Sequence, residues 1–298
     1  MINRLSFFIL LVALTQFVHA QGTSTGASQL KIPLDARSAA LGESNVADEG
    51  QLSAWLVNPA NLFSHGNLTI SLTHNQWIQE SQSEYLAVQI PATFGTIGMG
   101  VSTNTVPGIE IRDIPGPSLG TFSARFAVFQ MGLALQPFPA VTVGASGKFV
   151  YQKLYADDGT GFGFDFGAHY QTPLPGLRIA ASITNTGTLQ PLRTERSDLP
   201  AYFRGGLAYS FGIDDFVFIV NGCSANNLEQ SEHHAIGSIE ATYKHSVSMR
   251  LGYASGYESR GLTAGLGVQY EFLQFSYAYV PFSLGLGDAH LFSLAFAL

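Results

Sequence analysis

Alternating apolar and polar residues recur in short segments from about residue 67 to the end of the chain. The last of them, His290 to Leu298, carries an apolar residue at every second position after His290. Successive side chains of a strand point to opposite faces, so this alternation predicts strands with one apolar face. Repeated over most of a chain, such strands predict a sheet that is apolar on one side and more polar on the other.

The alternation predicts about fourteen strands. They lie near residues 67–78, 83–91, 95–105, 121–135, 139–153, 160–172, 176–186, 200–211, 214–223, 232–243, 246–255, 260–271, 272–280 and 288–298. The connections between them are alternately long and short, as in outer-membrane barrels, which have short periplasmic turns and longer outer loops. We therefore predict an all-β fold, a transmembrane antiparallel up-and-down β-barrel at residues 67–298 in the bacterial outer membrane.

Composition favours the barrel over a soluble β-sandwich or lectin-like domain. Charged residues make up 12% of the chain, about half of the usual share in a soluble domain, whereas hydrophobic residues make up 46%. A soluble protein needs a charged surface, but a barrel presents apolar side chains to lipid. The net charge of −7 argues against nucleic acid as a partner and leaves outer-membrane lipids as the expected surroundings.

The first twenty residues have the features of a secretory signal peptide. A positive start at Arg4 precedes an apolar run from Leu5 to Leu14, and small residues follow up to Ala20. We predict cleavage after Ala20, so that residues 1–20 form the signal peptide. Residues 21–66 lack the alternation and are too few to fold alone. Because they are also apolar, with Leu41, Trp55 and Leu62, we predict that they form a plug inside the barrel.

Two short motifs within this plug segment resemble a known family. They are DARSAALG at residues 35–42, followed by Val46-Ala47, and NPANL at residues 58–62. Together they resemble the N-terminal signature of PorV/PorQ-type outer-membrane proteins, which are related to the FadL long-chain fatty-acid transporters. The resemblance implies a fourteen-stranded barrel with an N-terminal hatch in its lumen.

The resemblance implies two different functions. PorV-like and PorQ-like proteins belong to type IX secretion and surface attachment, which implies a non-enzymatic component that binds envelope or secreted proteins at its rim and outer loops. The relation to FadL-like proteins implies the alternative, a channel for hydrophobic small molecules that is gated by the plug. The outer loops of this chain are modest in length, which leaves little room for an external capture site and favours the secretion hypothesis.

The plug motifs contain the first candidate site residues. Asp35 and Arg37 are expected either to pair with each other or to anchor the plug to a lumen-facing carboxylate, since a buried charge needs a partner and arginine suits carboxylates. The candidate carboxylates are Glu110, Asp165 and Glu240. Asn58 and Pro59 are expected to shape the turn into the first strand, or to act in gating.

Two predicted outer loops, residues 106–120 and 187–199, carry the second set of candidates. Prolines and mixed charges suit a protein-docking surface, because a stiff loop loses less entropy on binding. Ordinary solvated loops are the alternative. The charged residues concerned are Glu110, Arg112, Asp113, Arg193, Glu195 and Arg196.

The sequence favours neither an enzyme nor a metal or cofactor site. A G-x-S-x-G match at residues 22–26 lacks the preceding strand that a nucleophile elbow requires. The acidic pair Asp157-Asp158 supplies too few oxygens for calcium, and His233-His234 has no third ligand at a useful spacing. We therefore expect a protein without catalytic activity.

Overall fold

The computed structural model describes residues 26–112, 114–192, 195–230 and 232–298, without the side chains of residues 192, 195 and 196. The predicted signal peptide, residues 1–20, lies outside the described residues. No helix among the described residues is long and apolar enough to span a bilayer.

The described residues form one closed antiparallel sheet. Its order runs from β6 back to β1, then from β15 down to β9, then β7, and the additional pairing of β6 with β7 closes it into a barrel. The strands are β1 Thr69–Gln76, β2 Gln82–Ala92, β3 Gly95–Ile111, β4 Gly120–Phe138, β5 Val141–Leu154, β6 Asp157–Gln171, β7 Leu177–Leu192, β8 Glu195–Asp198, β9 Tyr202–Ile213, β10 Phe216–Asn227, β11 His233–Tyr243, β12 Val247–Ser255, β13 Leu262–Tyr270, β14 Leu273–Pro281 and β15 Asp288–Ala297.

The short strand β8 and strand β9 pair with the same strand, β7, one after the other. Thr184 of β7 pairs with Tyr202 of β9, and Thr188, four residues later, pairs with Asp198 of β8, four residues earlier. The register is therefore the same on both sides of the interruption, which contains Pro200. Proline has no N–H to donate to the ladder, so it breaks the strand there. The predicted barrel of fourteen strands is confirmed, with β8 as one extra strand.

The two predicted docking loops are partly strand, and their predicted bounds are wrong. β3 extends to Ile111 and β4 begins at Gly120, so the loop between them is residues 112–119 and not 106–120. Prolines suggested a loop, but Pro107 lies at a bulge where the β3–β4 register shifts between Val106 and Ile109. A bulge leaves residues outside the ladder and so accommodates proline. Likewise, residues 187–199 contain the end of β7 and all of β8.

Burial alternates along the strands as the sequence pattern predicts. On β6, Phe162, Phe164 and Phe166 are exposed, whereas Gly163 and Asp165 between them are buried. The same alternation gives the barrel an outer face of large apolar side chains and an inner face rich in serine, threonine, asparagine and glycine. This is the surface that a bilayer requires of a spanning barrel.

Residues 26–66, here called the N-terminal segment, pack against the inner face of the sheet. The segment contains helix α1 at Ala36–Ala40 and 3-10 helices at Ser28–Lys31, Leu52–Ala54 and Pro59–Leu62. Helix α1 contacts β12 to β15, while the 3-10 helix Pro59–Leu62 contacts β3 to β6 on the other side. The segment thus reaches both sides of the lumen. That it acts as a plug stays a prediction.

Glycines on the inner face allow this close approach. A Cβ at Gly144 of β5 would overlap the backbone of Pro59 and Ala60, and one at Gly167 of β6 would overlap the Asn58 amide. Trp55 is fully buried in a cluster with Leu62 and Tyr85, and its indole N–H donates to the Tyr85 hydroxyl at 2.6 Å. Backbone and side chains of the segment are therefore fitted to the strands that surround them.

We expect Gly144→Ala to destabilise the N-terminal segment by about 1–3 kcal/mol, because the new methyl group meets backbone atoms that cannot rotate away. Gly147→Ala on the same strand is the matched control, since its methyl group would point outward, with only Phe164 atoms near, at 3.9 Å. Thermal unfolding in detergent and protease cleavage within residues 26–66 measure the effect. Equal behaviour of the two variants would contradict the packing described above.

Candidate functional site

The side chain of Asp35 caps the N-terminus of helix α1. Its carboxylate Oδ1 accepts the backbone N–H of Arg37 at 2.8 Å and of Ser38 at 3.1 Å. An aspartate at this position satisfies N–H groups that have no partner within the helix. Asp35 therefore caps α1 and forms no ion pair with the Arg37 side chain, so the first of the two expectations for these residues is not met.

The Arg37 side chain joins the N-terminal segment to the barrel wall. Its Nη2 atom lies 2.6 Å from Oε2 of Glu240 on β11, and its Nε atom donates to the same oxygen at 3.1 Å. Its Nη1 atom donates to Asp48, which lies in the segment. All three side chains are buried. Of the carboxylates considered from the sequence, Glu240 is the one that contacts Arg37.

Glu240 is shared with a second arginine of the wall. Nε of Arg250 on β12 donates to Oε1 of Glu240 at 2.9 Å, and its Nη1 donates to the carbonyl of Leu266 at 3.2 Å. We call Arg37, Asp48, Glu240 and Arg250 the Arg37 network. It contains two positive and two negative side chains, and Arg178 of β7 adds a third cation, with its Nη2 atom 3.9 Å from Oδ1 of Asp48. Sequence reasoning missed Asp48 and Arg250, although Arg250 stands between apolar residues at an inward position of its strand.

The charged groups of the segment respond to burial in opposite ways. Burial lowers the pKa of Arg37, but the carboxylates of Asp48 and Glu240 raise it by more, so its pKa lies well above the ordinary value. Burial raises the pKa of Asp35 above its ordinary value, against the N–H of Ser38 and the charge of Arg37. Arg37 therefore stays charged, and its attachment to the wall persists at any pH that leaves its carboxylates ionised.

The Asn58-Pro59 turn is held by amide side chains. Asn58 accepts the N–H of Ala60 at 2.9 Å, and its own amide donates to the carbonyl of Val46 at 2.8 Å. Asn61 donates to the carbonyls of Asn45 at 3.0 Å and Ala54 at 2.9 Å. Pro59 occupies the first position of its 3-10 helix. These bonds connect distant parts of the N-terminal segment, so it is held together as one unit.

A second buried polar cluster lies on β4 to β7. Asp165 accepts the hydroxyl of Ser146 at 2.6 Å and the amide of Gln130 at 3.0 Å, and Nζ of Lys148 lies 3.0 Å from it. Its other oxygen accepts the backbone N–H of Asn185 at 2.7 Å. Asp165 is thus satisfied within the wall and is not available to Arg37. The sequence identified Asp165 as lumen-facing but missed Lys148 and Asn185.

The predicted docking residues lie apart from the Arg37 network. Glu110 and Arg112 form an ion pair in the β3–β4 hairpin, with about half of each side chain exposed. Asp113 and Arg193 lie outside the described residues. Glu195 and Arg196 belong to β8, and only their backbone is described. No group of three histidine, cysteine or acidic residues that could hold a metal ion is found in the described part of the chain.

Two cavities lie on opposite sides of the N-terminal segment. One, about 370 Å³, opens among the short turns and is lined by hydroxyl and amide side chains together with Arg37 and Glu240. The other, about 50 Å³, lies towards the outer loops and is lined by Leu34, Val128 and Lys148, among others. Asp35 and Ser53 of the segment border both cavities. The segment therefore stands between the two spaces.

Comparisons with known proteins show a likeness of fold. No family model matches the sequence. No curated protein matches it either. Among solved structures, the CymD monoaromatic hydrocarbon channel matches with a TM-score of 0.62 at 13% identity, over 92% of this chain and 99% of that one.

Two further structures share the fold. The toluene transporter TodX of P. putida matches with a TM-score of 0.58 at 13% identity, over 89% of this chain and 98% of that one. A FadL homologue from Pseudomonas aeruginosa matches with a TM-score of 0.53 at 12% identity, over 89% of this chain and 98% of that one. This chain thus has the fold of FadL-type barrels. Together with its apolar outer face, a closed barrel of this kind belongs in the bacterial outer membrane.

Replacing Arg37 by methionine is expected to destabilise the N-terminal segment by about 3–5 kcal/mol, because Asp48 and Glu240 would lose a buried partner. Hydrogen exchange of residues 36–62 and thermal unfolding measure the loss. Arg112→Met, which breaks an exposed ion pair, is the control and is expected to cost less than about 1 kcal/mol. Similar effects of the two substitutions would show that the Arg37 network does not hold the segment.

Proposed function

We propose that this protein is an outer-membrane channel for hydrophobic small molecules and that its N-terminal segment is the gate. The observation that carries the proposal is the position of the segment, which separates the two cavities at Asp35 and Ser53. Movement of these residues would join the cavities into one route through the barrel. The wall itself is closed, so passage through the lumen depends on the segment.

The Arg37 network supplies the attachment that such a gate needs. The network ties helix α1 to β11, while the far end of the segment is attached separately, at Ser64 to Thr96 of β3. Buried ion pairs gain little net stability from their charges alone, since desolvation offsets their attraction. They do, however, favour one arrangement, because any displacement leaves charges unpaired. The segment therefore has a defined closed position.

The outer end of the lumen is apolar, which supports a hydrophobic substrate. Ala27 and Leu30 of the segment pack against Val128 of β4, Val150 of β5 and a pair of leucines near the β7–β8 hairpin, Leu189 and Leu199. A hydrophobic molecule that enters from the loops would meet this cluster first, and burial of its apolar surface would be favourable. The fold shared with a monoaromatic hydrocarbon channel and a toluene transporter supports the same substrate class.

A disulfide that fixes the segment to the wall tests the gate. The hydroxyl oxygens of Ser44 in the segment and Ser238 on β11 are 2.6 Å apart, so Ser44→Cys with Ser238→Cys is expected to form a disulfide. Cys223, the one native cysteine, is replaced by alanine to prevent exchange. We expect toluene uptake by cells to fall to background in the oxidised protein and to recover on reduction.

The matched control places a disulfide within the wall. The hydroxyl oxygens of Thr242 on β11 and Ser248 on β12 are 2.9 Å apart, and joining them leaves the segment free. The control is expected to transport toluene equally well when oxidised and when reduced. Normal uptake by the oxidised Ser44–Ser238 variant would contradict gating by the segment.

A component of a secretion or attachment system is the second candidate function, and one observation favours it. The β3–β4 hairpin presents Ile114 and Leu119 to solvent, 76% and 69% exposed, beside the Glu110–Arg112 ion pair. Exposed apolar residues with a polar rim suit a protein partner. The PorV/PorQ-like motifs at residues 35–42 and 58–62 point in the same direction.

Under this second function, Ile114→Ser with Leu119→Ser is expected to lose an envelope or secreted protein that the unmodified protein retains through mild detergent purification. Mass spectrometry of the retained proteins provides the measurement. Ile213→Ser, an exposed residue near the β9–β10 turn at the opposite rim, is the control. If the unmodified protein retains no such partner at a near-stoichiometric ratio, the secretion function fails.

A further inference from the structure

Two positive side chains face each other on the outer surface of the barrel. Arg125 of β4 and Lys153 of β5 are register partners, both exposed and both on the outward side of their strands. Like charges directly opposite each other in a sheet destabilise it. Asp158 of β6 is the register partner of Lys153, yet neither Arg125 nor Lys153 forms an ion pair with any described residue. The pair therefore has no ion-pair partner among the described residues.

The position of this pair corresponds to the edge of the membrane. Moving from it toward the short turns, the next outward residues are Ala127 and Phe129 on β4 and Tyr151 and Phe149 on β5. Aromatic residues gather where the hydrocarbon region meets the headgroups, and lysine and arginine extend to that level. Arg125 and Lys153 thus lie at the headgroups of the leaflet on the side of the outer loops.

An apolar groove lies on the outward face of the same strands. It begins near the middle of the barrel, at Gly147, and extends toward the short turns as far as Phe94. Its floor is formed by Ala145 and Gly147 of β5, and its sides by Met131 of β4 and Phe164 of β6, with a volume of about 510 Å³. Gly147 creates this depression, since the neighbouring outward positions on its strand carry larger side chains. The groove is thus a depression in the lipid-facing surface, as is a second one of about 690 Å³ beside Leu72 and Leu86.

The distance between the charged pair and the groove matches one leaflet. Six residues separate Lys153 from Gly147, or about 20 Å along a strand. At the usual strand tilt of about 40°, this corresponds to a depth of about 15 Å. Half of the hydrocarbon core is also about 15 Å thick. An acyl chain whose headgroup lies at Lys153 would end at Gly147.

We propose that Arg125 and Lys153 bind the phosphate-bearing headgroup of an outer-leaflet lipid, and that an acyl chain of this lipid runs along β4 to β6 into the groove at Gly147. Phosphate supplies an ion-pair partner for both cations, and arginine binds it with two parallel N–H donors. The proposal rests on the membrane location of the barrel and is independent of the channel function.

Lipid retention in nanodiscs tests the headgroup site. The protein is reconstituted in phosphatidylcholine containing lipid A, dephosphorylated lipid A or phosphatidylglycerol, and the lipids that remain bound are counted by native mass spectrometry. We expect preferential retention of lipid A over its dephosphorylated form. Arg125→Gln with Lys153→Gln is expected to reduce that retention about twenty-five-fold, or about fivefold for each cation. Comparison with phosphatidylglycerol separates lipid A from other phosphate-bearing lipids.

Two controls make the outcome decisive. Lys244→Gln removes an exposed lysine at the opposite rim and is expected to leave retention unchanged. In phosphatidylcholine alone, the double glutamine variant is expected to unfold at the same or a higher temperature than the unmodified protein, because the repulsion is gone. Equal retention of lipid A by the double variant and the unmodified protein would overturn the proposal.

The groove is tested separately by filling it. Gly147→Leu places a side chain where the acyl chain would lie and is expected to lower lipid A retention several-fold. Gly222→Leu on β10, an outward glycine with open space around it, is the matched control and is expected to have no effect. Equal retention by the two leucine variants would overturn the placement of the acyl chain.

Discussion

The absence of hydrogen-bond partners in lipid is the constraint on which this structure depends. Every backbone N–H and C=O within the hydrocarbon region must be satisfied by the protein, and a sheet does so only when it has no edges. Here β1 pairs with β15 over eight consecutive residue pairs, and β6 pairs with β7, so the ladder continues around the barrel. The break between β8 and β9, at Pro200, lies among the buried residues Leu199, Ala201 and Tyr202.

Closure of the barrel creates an interior that must itself be filled. Many inward-facing strand residues are small or polar, and they leave space that the N-terminal segment occupies. Where the segment is apolar, glycines such as Gly144 let it approach the wall. Where it carries the charge of Arg37, Glu240 of the wall supplies the opposite charge. The wall and the segment are therefore matched both in shape and in charge, even though they come from parts of the chain that are far apart in sequence.

Much of the fold could be predicted from the sequence because its main signal is local. Alternation within each strand, as in Phe162 to Phe166, depends only on neighbouring residues and gave the strand number. The ends of the outer hairpins could not be predicted in this way, because Pro107 is tolerated only through a bulge that depends on the partner strand. The ion pair between Arg37 and Glu240 could not be predicted either, because 203 residues separate them and several carboxylates were equally plausible partners.

The path of the N-terminal segment has a consequence for assembly of the barrel. Gly26 bonds to the carbonyl of Asp198 at the mouth with the long hairpins, whereas Ser64 bonds to Thr96 near the short turns at the opposite mouth. The segment thus runs the length of the lumen before β1 begins. In a finished barrel it would have to be drawn through end-first. While β1 and β15 are still apart, it can instead settle sideways onto the curved sheet, so that the first and last strands join around a chain already in place.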